Sequence, residues 1–170
     1  MRWEELDQQP CSLSRTLAVV GDRWTLLVLR DCFLGVRRFD EFEKRLGVTR
    51  HVLADRLKKL VEYGVLAKVP YQQRPLREEY RLTERGLELH SVMLALVSWG
   101  DRHMADERGA PIRHIHKGCG QVMRPVTVCS ECGEPVAARD VQIEVGEGWQ
   151  DATGELIPPR LARQSGNQDR

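Results

Sequence analysis

The stretch from Phe39 to Thr83 places the tightest limit on what this chain can become. Phe39, Phe42 and Leu46 fall at i, i+3 and i+7, which gives one apolar face to a short helix that Gly47 then stops. Thr49 offers a side-chain cap for a second helix. There Leu53, Leu57, Leu60 and Val61 repeat at i, i+4, i+7 and i+8, burying one side and turning Arg50, His51, Ala54, Asp55 and Lys58 outward. Gly64 ends that helix, and Val65, Ala67 and Val69 alternate with Leu66 and Lys68 as a strand should. Gln72, Gln73, Arg74 and Pro75 read as a turn, and Tyr80 and Leu82 as the returning strand, which sets Arg74 and Arg77 near its tip. A helix, a tight turn, a second helix and a basic hairpin predict a winged helix-turn-helix. In that fold the second helix enters the major groove and the wing follows the phosphates. The predicted fold class is mainly α with a small β-hairpin wing.

The flanking segments supply a scaffold. Leu13, Leu17 and Val20 line one face of a helix that begins near Ser12 and closes at Gly21, and Asp22 caps the next. From Arg23 to Phe33 the apolar residues Trp24, Leu26, Leu27, Val28, Leu29 and Phe33 lie nearly all round the helix, which predicts a buried central element. Thr83 caps a long helix with two apolar stripes, one of Leu89, Val92, Met93, Leu96 and Trp99 and one of Leu87, Leu94 and Val97. One stripe can meet the domain's own core, and the other calls for a second subunit, so a two-fold homodimer is expected.

Charge is nearly balanced over the 170 residues, with 26 basic and 25 acidic side chains, so composition alone does not announce a nucleic-acid binder. Its distribution is more informative. Between Arg37 and Arg85 there are thirteen Lys and Arg against eight Asp and Glu, whereas residues 134–170 carry four against seven. The basic surplus sits on the unit proposed to meet phosphates, where it would release counterions. We find no bilayer-length apolar run, no signal-peptide pattern and no internal repeat, and expect a soluble cytoplasmic protein. Residues 149–170, rich in Pro, Gln, Ser, Asn and charge, are expected to be disordered.

The five cysteines fit reduced thiols or metal ligands better than a disulfide framework. His116-Lys117-Gly118-Cys119-Gly120 and Cys129-Ser130-Glu131-Cys132-Gly133 each place two ligand-type side chains two residues apart before a glycine. Nine residues between Cys119 and Cys129 suffice for a small hairpin. His116, Cys119, Cys129 and Cys132 therefore form a candidate structural zinc site in a ribbon-like module over residues 109–148, with four protein ligands and no vacancy for a reacting water. His114, on the same side of an extended segment, is an alternative to His116. Cys32 reads as a small apolar core residue.

Three blocks in order, Gly21-Asp22-Arg23-Trp24-Thr25-Leu26-Leu27-Val28-Leu29-Arg30, Arg38-Phe39-Asp40-Glu41-Phe42 and Glu79-Tyr80-Arg81-Leu82-Thr83-Glu84-Arg85-Gly86, resemble the HxlR-type winged-helix transcription regulators. The resemblance runs over residues 11–108. It implies a dimeric DNA-binding regulator whose first and last domain helices supply the dimer contacts. It also implies that Cys11, placed just ahead of the first helix, is a candidate sensor of oxidants or electrophiles. A thiol there feels the positive end of the helix dipole, which favours thiolate.

The expected function is therefore sequence-specific binding of double-stranded DNA, with candidate contacts from Thr49, Arg50, His51, Arg56, Lys58, Arg74 and Arg77. For Arg56 an intradomain ion pair competes with a phosphate contact. A winged-helix module that pairs only with proteins is the alternative, and the basic surplus argues against it. No phosphate-cradling glycine loop, His-Glu-x-x-His or nucleophile motif points to an enzyme.

Overall fold

A computed structural model describes residues 6–144 and 146–149. The expected disordered tail lies outside the described residues, apart from Trp149. The described residues divide into two compact units, one of residues 22–136 and one of residues 6–21 with 137–144 and 146–149.

In the smaller unit α1 spans Ser12–Val20 and ends at Gly21. Ala18 and Val20 are buried, while Leu13 and Leu17 are exposed. Of the expected stripe of Leu13, Leu17 and Val20, Val20 is therefore the one buried member.

The larger unit opens with α2, Arg23–Phe33, whose N-cap Asp22 accepts from the backbone N–H groups of Trp24 and Thr25 at 2.9 and 3.2 Å. This replaces bonds that the first helical turn cannot make internally. Thr25, Val28 and Leu29 are buried, whereas Trp24, Leu26, Leu27 and Phe33 are only half-buried. The central helix is therefore one-sided rather than enclosed all round. Next comes α3, Phe39–Leu46, with Phe42 fully buried and Gly47 in the left-handed region at φ 63°. Arg38 N–H donates to the Glu41 carboxylate, closing its first turn.

The second helix of the motif, α4, spans Arg50–Glu62. Thr49 caps it by accepting from Val52 N–H, and Leu53, Leu57 and Leu60 are buried as their spacing requires. Gly64, at φ 67°, lets the chain reverse so that Val65 N–H reaches Leu60 O at 2.8 Å. Val65 thus belongs to the helix exit rather than to a strand.

The wing is an antiparallel pair, β1 over Leu66–Gln73 and β2 over Leu76–Leu82. Leu66 faces Leu82 and Val69 faces Glu79, and a register shift between Pro70 and Gln72 leaves Tyr71 unpaired. Gln72 pairs with Arg77 and Gln73 with Leu76, so the turn is only Arg74–Pro75. The expected four-residue turn is shorter, because the irregularity at Tyr71 lets both glutamines stay in the ladder.

Beyond the wing, Thr83 caps α5, Glu84–Glu88, and α6 follows over His90–His103. The single long helix expected here is broken at Leu89, whose N–H bonds to Gly86 O in a tightened turn. Gly86 is buried so closely against Val65 that an added Cβ would lie 2.2 Å from the Val65 carbonyl oxygen. No other residue type fits that approach.

Candidate nucleic-acid interface

The outward face of α4 is the one its periodicity predicts. Arg50, His51, Ala54, Asp55 and Lys58 are all exposed, as is Thr49 at its start. Arg50 lies over the Phe39 ring at 4.7 Å and pairs with Glu43, with Asp40 at 3.9 Å. His51 lies 3.3 Å from Asp55, and Lys58 lies 3.7 Å from Glu62. These are solvent-exposed pairs, worth about 1 kcal/mol or less each. A good bidentate base contact is worth roughly 1–3 kcal/mol, so a duplex can outbid them.

The wing presents Arg74 and Arg77, both exposed and neither in an ion pair among the described residues. Lys68 at its base is engaged by Glu78 at 3.5 Å, and Arg38 lies over the Tyr71 ring at 4.6 Å. The wing is held at a fixed place by three contacts. Tyr80 N–H donates to Arg37 O at 2.8 Å, the Phe42 and Tyr80 rings meet edge to face at 6.5 Å, and the Thr83 hydroxyl donates to Gly64 O at 2.6 Å. That hydroxyl also accepts from Gly86 N–H at 3.1 Å, while Arg85 donates to Tyr63 O at 3.0 Å. The Glu79–Gly86 block is therefore a joint between the end of α4, the wing and α5.

Arg56 does not join the outer face. Its Nε lies 2.9 Å from the Asp22 carboxylate, so one acid both caps α2 and anchors α4. Burial works against the Asp22 charge, but the Thr25 N–H and the Arg56 guanidinium outweigh it and hold the carboxyl below its usual value. The intradomain pairing is thus formed here, through Nε of Arg56. A second brace went unforeseen. Asp31 is fully buried on α2, with Arg30 at 2.9 Å and Arg45 of α3 at 3.3 Å. An acid set among the apolar residues of α2, with Arg30 beside it on the same helix, was its signal in the chain.

The cysteines differ sharply. Cys11 occupies the N-cap position of α1, where the backbone N–H and the hydroxyl of Ser14 hold its thiol below the ordinary value, with Leu13 N–H and Arg15 adding to the effect. Burial pushes Cys32 up to about 12, with Asp31 opposing ionisation too, which makes it inert. His116 Nδ1 lies 3.3 Å from Cys119 Sγ. The Cys129 thiol is lowered by the backbone N–H groups of Cys132 and Glu131. Among the described residues no three His, Cys, Asp or Glu side chains gather as one metal-binding group. His114 lines the hollow between α6 and the segment 110–125, and it is His116 that approaches Cys119.

An exposed basic helix face, a preceding helix that braces it and a basic hairpin beside it define a winged helix-turn-helix DNA-binding protein. Residues 19–108 match the HxlR-like helix-turn-helix family model, and the chain belongs to that family of transcriptional regulators. It is 45% identical over 139 residues to an uncharacterised HTH-type transcriptional regulator of Mycobacterium tuberculosis (strain ATCC 25618 / H37Rv), covering 82% of this chain and 88% of that one. It is 34% identical over 98 residues to the uncharacterised regulator YdeP of Bacillus subtilis (strain 168), covering 57% and 77%. Among solved structures, PA1607, a candidate transcription factor, superposes with a TM-score of 0.73 at 36% identity, covering 81% of this chain and 96% of that one. The redox regulator HypR in its reduced form gives 0.51 at 30% identity, covering 54% and 92%. No described helix is long and apolar enough to cross a membrane.

Proposed function

We propose that the protein acts as a cytoplasmic homodimer that reads a two-fold DNA site through α4 and grips it through the wing. The observation that carries this reading is the coincidence of two exposed faces on one domain. One is the basic face of α4 with Arg74 and Arg77 beyond it, and the other is the apolar stripe of Val92, Leu96 and Trp99 on α6. Arg50, His51 and Lys58 are assigned to base edges or nearby phosphates, Thr49 to a phosphate at the helix N-terminus, and Arg74 and Arg77 to backbone phosphates. Two such heads would engage major grooves about one turn, roughly 34 Å, apart.

Among the described residues the wing arginines have no ion pair to break, so they should contribute most to the salt dependence. Replacing Arg74 and Arg77 by alanine should weaken binding to every duplex and flatten the logarithmic salt slope by about 2 per domain. Fluorescence anisotropy against operator and random duplexes across a salt series measures this. An unchanged slope removes the wing from the interface, and a salt-independent wild type would favour the protein-only module.

Cys11 is assigned to sensing. Its lowered thiol at a helix start supports this, as does the likeness to HypR, a redox regulator in both its reduced and oxidised structures. Alkylation of Cys11 should change operator affinity, and Cys11→Ser should abolish that response while binding DNA normally. Equal affinity before and after complete alkylation would refute the assignment.

A further inference from the structure

Residues 114–123 and 127–136 fold as two copies of one turn, thirteen residues apart, although no repeat is apparent in the sequence. In the first copy His116 N–H donates to Gln121 O, Gly120 N–H to His116 O and Met123 N–H to His114 O, at 2.8–2.9 Å. In the second, Cys129 N–H donates to Glu134 O, Gly133 N–H to Cys129 O and Val136 N–H to Thr127 O, each at 2.9 Å. The bridges Ile115–Val122 and Val128–Pro135 close them in the same way, and Gly120 and Gly133 take φ 71° and 75°. His116 and Cys119 therefore occupy the same two places in their turn as Cys129 and Cys132 do in theirs.

This backbone is regular without a core to hold it. From residue 102 to residue 144 no residue is buried, and Ile115, Val122, Val126 and Val128 are all more than half exposed. So small a module needs a staple. The donor set suits one, since three thiols and an imidazole match zinc's preference for sulfur and nitrogen in a closed tetrahedron. The His116 Nδ1 to Cys119 Sγ separation of 3.3 Å is close to the roughly 3.5 Å between tetrahedral ligands at ordinary zinc bond lengths.

We propose that the two turns are half-sites for a single structural zinc ion, ligated by His116, Cys119, Cys129 and Cys132. Each half-site is folded by itself, and the four side chains do not converge on one point among the described residues. The ion would draw the pairs together across the segment 120–128 and supply the folding energy that the missing core does not. A redox-active Cys129–Cys132 pair would account for one turn only. It gives no reason for a histidine to stand in a matching second.

The test uses the full-length protein, expressed with added zinc and purified without chelator, and makes no use of DNA. Elemental analysis should find about one zinc per chain after gel filtration. Cobalt substitution should give the intense visible bands of a tetrahedral, thiolate-rich site. Cys129→Ser, Cys132→Ser and His116→Ala should each weaken zinc competition against a chromophoric chelator by more than the roughly 10–100-fold that loss of an outer-shell contact costs. His114→Ala should leave it within about twofold. Zinc below about a tenth per chain in the wild type, a Cys129–Cys132 disulfide in the protein as purified, or full retention of metal by Cys129→Ser would overturn the proposal. The wild-type measurement decides even if a variant fails to fold.

Discussion

Leu57→Ala is expected to cost about 2–5 kcal/mol of stability, because a fully buried leucine loses both its transfer energy and the packing of the space it leaves. Leu57 is the middle of three buried leucines on α4, so the cavity opens on the packed face of that helix. At roughly 4–8 °C per kcal/mol for a domain of about 100 residues, thermal unfolding should fall by about eight degrees or more. Lys58→Ala, one position along and three-quarters exposed, should change stability by less than about 0.5 kcal/mol. Urea titrations followed by circular dichroism compare them directly. Equal, small losses at both positions would mean that α4 is not packed by the face its leucines define.

Breaking the proposed dimer should have the other large effect. Leu96 and Trp99 are 50% and 60% exposed on α6, and Trp99 makes its ring contact with His103 of the same helix, at 5.0 Å. Aspartate at both positions should therefore leave the monomer folded while making a covered apolar face untenable. Light scattering should report a fall towards the single-chain mass of 19.5 kDa. Affinity for a full two-fold site should drop by about 10²–10⁴, since the second head no longer binds at high effective concentration. Binding to an isolated half-site should hardly change. A variant that stays dimeric, or a wild type that is monomeric on and off DNA, would reject α6 as the interface.

Much of this architecture was legible in the chain because it rests on local rules. The caps at Asp22, Thr49 and Thr83 are short side chains placed just before apolar periodicity, and the buried and exposed faces of α4 follow from 3.6 residues per turn. What escaped depends on partners distant in sequence. Asp22 and Arg56 stand 34 residues apart, and Asp31 meets Arg45 across 14, and neither separation has a period to reveal it. The close approach of Gly86 to Val65 joins residues 21 apart, and helix propensity does not register it. The repeat at residues 114–136 is a likeness of backbone, with only His or Cys, Cys and Gly shared between copies. Periodicity in side-chain type cannot detect it.

The Thr83 hydroxyl, shared between Gly64 O and Gly86 N–H, makes a rigid corner of three elements that would otherwise be joined by pliable loops. The end of α4, the hairpin and α5 are thereby tied at one point. In the proposed dimer, whose contact lies on α6, this corner would tie the spacing of the two reading heads to the geometry of the subunits.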